Sequence, residues 1–221
     1  MVELAAQATE RTTAATDALL ALAALVVFVL LRGRTPASFG RSVWLAALAC
    51  MIVASAIGVV AHGLALSDGA RELLWQPLYL ALGVTMALFV VGAVRDWRGD
   101  RAGRRLLPPM LVVALAFYGV TRATGGDFLA FVLFEAAALG FALGVYAWLA
   151  AWQRRPGAAA MAAALAVSLA AGAVQAADLG TIRLLWDFDH NGLFHLVQLA
   201  GLALLAAGLR RTLLHPAPEV S

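Results

Sequence analysis

The chain of 221 residues has no lysine, a single cysteine and few charges of any kind, with 13% of its residues charged. A soluble domain carries about a quarter charged residues. The shortage of charge excludes a soluble enzyme, a disordered chain and a basic nucleic-acid-binding surface, even though the net charge is +3. With Cys50 alone, no intrachain disulfide can form, which excludes a disulfide scaffold. No polar stretch is long enough to build a separate soluble domain. All 16 basic residues are arginine, which reads as the codon bias of a GC-rich genome and carries no chemistry. The opening MVELAAQATE lacks the positive n-region of a secretory signal, so the first apolar run is expected to remain as a span.

What is abundant is hydrophobic sequence. It makes up 63% of the chain, or about 139 residues, enough for roughly seven spans of about 20 residues each. Seven apolar runs separate, at about 13–31, 43–66, 73–94, 106–121, 128–152, 157–177 and 191–209. None alternates with the period of a barrel strand, and lipid demands that backbone groups be satisfied within the segment. The expected fold is therefore all-α: one seven-transmembrane-helix bundle over residues 1–221. Gly58, Gly140, Gly144 and Gly172 lie inside spans. The Gly140-x3-Gly144 spacing predicts close packing between helices of the same chain.

Arginine sets the orientation. Arg32, Arg34, Arg41, Arg95, Arg98, Arg101, Arg104, Arg105, Arg154, Arg155, Arg210 and Arg211 fall on one side. Arg11, Arg71, Arg122 and Arg183 fall on the other. The positive-inside rule places the N-terminus outside and the C-terminus in the cytoplasm, with a bacterial inner membrane as the expected location. The loop from Arg95 to Arg105 reads as a topology signal with affinity for anionic headgroups. Trp75, Trp97 and Trp186 fit interfacial belts.

Ionisable residues within spans are costly and point to function. Here they segregate. Asp17 opens the first span, His62 lies near the outer end of the second, and Ser55 sits deeper on the same face. Glu72, Gln76 and Tyr79 begin the third span. Glu135 lies about two turns into the fifth. Gln175 and Asp178 close the sixth, and Asp189, His190, Asn191, His195 and Gln198 open the seventh. The inner halves read as almost purely apolar. This layering predicts one polar cavity towards the outer face, drawn from six helices. Three neutral imidazoles (His62, His190 and His195) are the ligand set of a catalytic zinc site with one position open to water. Glu135, Asp178 or Asp189 could orient a ligand or accept a proton. Interhelical hydrogen bonding is the alternative reading of the same histidines. Asp189 or Asn191 is placed to cap the last helix.

The stretch WDFDHNGLFHLVQ, Trp186 to Gln198, resembles the seventh-span motif of the CREST group, which holds alkaline ceramidases, progestin and adipoQ receptors and GPI-anchor remodelling proteins. That motif is H-x3-H with an aromatic residue before the second His, and it is paired with S-x3-H in span 2 and an Asp near span 3. His195 after Phe194 matches the second His, and His62 matches the span-2 His. The sequence departs at Asn191, where the first His is shifted to His190. It departs again at Gly58, where the serine is shifted to Ser55. The third departure follows His62, where Asp68 stands six residues on and Glu72 ten. The segment is also similar to a bacterial seven-span family with H-N-x-x-[FY]-H before the last span. The resemblance implies three zinc-binding histidines and hydrolysis of a lipid amide or ester, with membrane lipid as both environment and substrate. Two further readings stand beside it. One is a b-type haem with His62 and His195 as axial ligands. The other is a receptor or lipid-binding protein that uses the polar cavity, lined further by Asp17, Glu72, Gln76, Gln175, Asn191 and Gln198, for a ligand.

Overall fold

The computed structural model describes residues 3–126, 128–177 and 179–215. Seven helices, α1 (Ala8–Arg34), α2 (Phe39–Gly63), α3 (Asp68–Arg98), α4 (Asp100–Ala123), α5 (Phe128–Ala151), α6 (Ala158–Ala176) and α7 (His190–Leu214), are each long and apolar enough to cross a membrane. The shortest, α6, has 19 residues, a rise of about 28 Å and thus about the thickness of a hydrocarbon core. The chain is an integral membrane protein with an all-α seven-helix bundle. A two-stranded antiparallel hairpin, β1 (Ile182–Arg183) and β2 (Asp187–Phe188), joins α6 to α7.

The helices outrun the apolar runs. The seven stretches expected from hydrophobicity mark where lipid surrounds the chain, whereas polar turns continue the helices wherever a cap satisfies the end. Ser38 accepts from the Arg41 amide at 3.1 Å and starts α2 four residues before its apolar run. Ser67 caps α3 by accepting from Ala70, at 3.4 Å. Asp189 caps α7 by accepting from Gly192, at 2.8 Å. Helices α3 and α4 meet at Gly99, whose φ of +90° suits a residue without a Cβ. The expected Arg95–Arg105 loop is thus almost wholly helical.

Packing makes a ring. Helix α1 lies between α2 and α7, α2 contacts α3, α3 contacts α5, and α5 and α6 lead back to α7. Helix α4 leans along α3 and touches α5 only lightly, so it stands outside the ring. The apolar core fills the ring at the arginine-rich end. Trp44 is fully buried and meets Phe89 edge-on at 5.1 Å, and its indole occupies the space left by Gly92.

That end is not purely apolar, contrary to expectation. Arg95 and Asp96 are 6% and 4% exposed. Arg95 donates to Asp96 at 2.8 Å and to Asp100 at 2.6 Å, and the Tyr146 hydroxyl donates to Asp96 at 2.6 Å. Gly40 and Gly103 leave the room that the Arg95 side chain fills. A buried charge survives only when paired and hydrogen-bonded, and this cluster meets both conditions. Arg95 therefore belongs to the core. The Gly140/Gly144 expectation also fails. Both glycines lie on the outward face of α5 with nothing near the position of a Cβ, so they bring no two helices of the chain together.

Candidate functional site

The polar layer does converge. A cavity of about 420 Å³ lies in the N-terminal half of the ring, walled by α1, α2, α3, α5, α6 and α7 and by no residue of α4. Asp17, Ser55, His62, Glu135, Gln175, His190, Asn191, His195 and Gln198 all line it, as the sequence predicts. Most of the wall is apolar, with Trp75, Tyr79, Phe89, Phe131 and Phe194 among its aromatic residues.

Helix α1 supplies two carboxyl groups seven residues apart, and therefore on one face. Glu10 meets His62 Nδ1 at 2.7 Å. Asp17 meets His195 Nε2 at 3.3 Å. The other His195 nitrogen, Nδ1, faces Thr16 Oγ1 at 3.1 Å. Thr16 spends its one hydroxyl proton on the Thr13 carbonyl at 2.9 Å, so it accepts from Nδ1–H. Nε2 and the Asp17 carboxyl then face each other with one proton required between them. Asp17 is not at the helix end, as the apolar run suggests. Glu10 and Arg11 are already helical, Arg11 donating back to the carbonyls of Ala5 and Ala6, so α1 begins earlier and Asp17 sits nine residues in, at about 13 Å depth.

Two glycines make the carboxyls fit. A Cβ at Gly58 would run into the Asp17 carboxyl, and Ser55, one turn away on α2, lines the cavity beside it. A Cβ at Gly172 would approach Glu135 Oε2 at 3.1 Å. Glu135 is 6% exposed, lines the cavity and has no hydrogen-bond partner among the described residues. The side-chain oxygens of Gln175 and Gln198 are also buried without a partner, although the Gln175 amide donates to Asn191 at 3.1 Å.

Other expected residues take different roles. Asp189 accepts from both the Gly192 amide and, at 2.9 Å, the Thr13 hydroxyl, which caps α7 and ties α1 to its start. Glu72 is exposed at the start of α3, and Gln76, which donates to its carbonyl at 3.4 Å, does not line the cavity. Asp178 lies outside the described residues. Trp75 lines the cavity: it meets His62 edge-on at 5.6 Å and stacks on Tyr79 at 5.9 Å. Glu10 and Ser168 escaped the sequence reading. The heptad spacing of Glu10 to Asp17 on α1, and of Ser168 to Gln175 on α6, was the available signal.

The donor set does not fit a three-histidine zinc site. Both ring nitrogens of His195 are engaged, by Thr16 and Asp17, and His62 Nδ1 is held by Glu10. Among the described residues, no group of three or more His, Cys, Asp or Glu is placed to hold a metal ion. An axial haem role for His195 meets the same obstacle.

The segment before α1 and the start of α1 are tied to the neighbouring elements. Residues 3–5 pair with the segment after α2, Ala5 donating to the Gly63 carbonyl at 3.0 Å, and Thr12 donates to the Asp187 carbonyl of the hairpin at 2.7 Å.

A protein-family profile matches residues 12–214, and its description reads family of unknown function, DUF6962. The match covers nearly the whole chain, so the protein belongs to this family. No curated protein and no solved structure matches it.

Proposed function

We propose that this member of the DUF6962 family is a membrane-embedded binding protein whose cavity takes a small amphiphile with an amine head. Glu135 carries this reading: a buried carboxyl, facing an open cavity, with no partner among the described residues. A group of that kind is costly in a membrane unless something completes it. An ammonium supplies both the opposite charge and the donors, in the stronger, charge-assisted form of hydrogen bond. Asp17 adds a second carboxyl, and among the described residues no arginine lines the cavity to favour an anionic head. The aromatic wall suits a cation beside ring faces and an apolar tail beyond it. The twelve arginines at the opposite end support an orientation with the cavity outside a bacterial inner membrane.

The test compares decylamine with decanoate and decanol against the protein in nanodiscs, followed by tryptophan fluorescence, since Trp75 borders the cavity. Decylamine should bind at least about tenfold more tightly than either, and Glu135→Gln should erase that preference. Equal binding of all three would remove the amine from the proposal. The zinc hydrolase implied by the seventh-span resemblance is distinguished by elemental analysis. About one zinc per chain, lost in His195→Ala, would show that His195 leaves Thr16 and Asp17 to bind metal, and would replace this reading.

A further inference from the structure

Because α4 leans on α3 and scarcely reaches α5, the bundle has a second hollow, on its outer flank at the arginine-rich end. It is an open groove between Val90 and Val94 of α3, Ala102, Arg105 and Leu106 of α4, and Phe141 of α5. Its wall is apolar except for Arg105, which is exposed. The neighbouring arginines differ in how they are occupied. Arg95 is neutralised by Asp96 and Asp100, Arg98 lies over the Trp97 ring at 4.0 Å, and Arg104 lies over Phe39 at 4.4 Å. Arg101 and Arg105 are exposed and have no partner among the described residues. Four residues apart on α4, they share a face.

We infer that this hollow is a binding site for one anionic phospholipid, with an acyl chain between α3, α4 and α5 and the phosphate on Arg101 and Arg105. The two parts of the site match the two parts of the molecule. The groove is apolar, Arg105 stands in its wall, and Arg101 lies one turn before it on the same face of α4. Guanidinium binds phosphate through paired donors, and basic pockets between membrane helices select acidic headgroups. A zwitterionic lipid fills the groove equally well but brings a choline that the arginines repel. The site is separate from the N-terminal cavity, to which α4 contributes nothing.

Native mass spectrometry of the full chain, released from detergent, reads retained lipid directly. Phosphatidylglycerol should be retained at least about tenfold more than phosphatidylcholine of the same chains. The double variant Arg101→Ala/Arg105→Ala should fall to the phosphatidylcholine level, whereas Arg101→Lys/Arg105→Lys should keep most of the preference. Leu106→Trp, which fills the groove and leaves both arginines, should also lose phosphatidylglycerol. All these positions are on the outer flank, and an unchanged melting temperature identifies folded variants. Equal retention of the two lipids overturns the site. So does phosphatidylglycerol held at wild-type level by the double alanine variant. Wild-type retention by Leu106→Trp overturns the groove and reduces the effect to surface charge.

Discussion

The two ends of the ring each bury carboxyl groups, and they treat them in opposite ways. At the arginine-rich end, Asp96 is met by Arg95 and Tyr146 within 2.8 Å, and glycines at 40 and 103 let the chain close around Arg95. At the N-terminal end, Asp17 shares its surroundings with His195 and Ser55, and Glu135 faces a void with no partner among the described residues. The first arrangement is complete as it stands and fixes α3 against α5. The second is incomplete in a way that a ligand would correct. Burial of an ionisable residue in a membrane therefore does not by itself mark a site; whether the group is satisfied separates architecture from binding.

Substitutions can break or sharpen this contrast. The largest effect is expected from Asp96→Ala, which leaves Arg95 with Asp100 alone and orphans the Tyr146 hydroxyl. Breaking a buried pair costs about 3–5 kcal/mol, and thermal unfolding in detergent should show it as a large fall in melting temperature. Gly58→Val comes next. It displaces Asp17 from His195, with an expected loss of about 1–3 kcal/mol, and decylamine binding should weaken with it. Tyr146→Phe removes one hydrogen bond to a carboxylate and should cost about 1.5–3 kcal/mol in the same melt, without changing binding. Glu135→Gln should move stability least, within about 0.5 kcal/mol, while abolishing the preference for amine. If Glu135→Gln proved as damaging as Asp96→Ala, Glu135 would be a structural residue and the contrast between the ends would collapse.

Much of this was legible in the sequence. Seven apolar runs announce seven helices because lipid leaves the backbone no other arrangement that satisfies it, and the layer of polar residues towards one end announces the cavity. The membership of that cavity was also readable: nine of the polar residues expected there line it. Roles were harder. Glu10 precedes the first apolar run, so hydropathy alone places it outside the span, whereas its pairing with His62 depends on α1 and α2 running side by side. The Arg95 cluster hid within a run of arginines whose expected role was only to set the orientation. His195 looked like a free ligand because its partners, Thr16 and Asp17, come from the other end of the chain. Glycine was misleading in both directions. Gly140 and Gly144 have the spacing of a helix contact and face open space, whereas Gly58 and Gly172 matter because carboxyl groups lie against them.

The adjacency of α1 and α7 has a consequence for how the protein is made. Thr16 and His195 are 179 residues apart in the chain, so the surroundings of Asp17 are completed only when α7 joins the six helices made before it. Until α7 inserts, the first helix holds a carboxyl in the bilayer with only α2 to shield it. A chain that stops before α7 thus leaves the Asp17 carboxyl without its His195 partner.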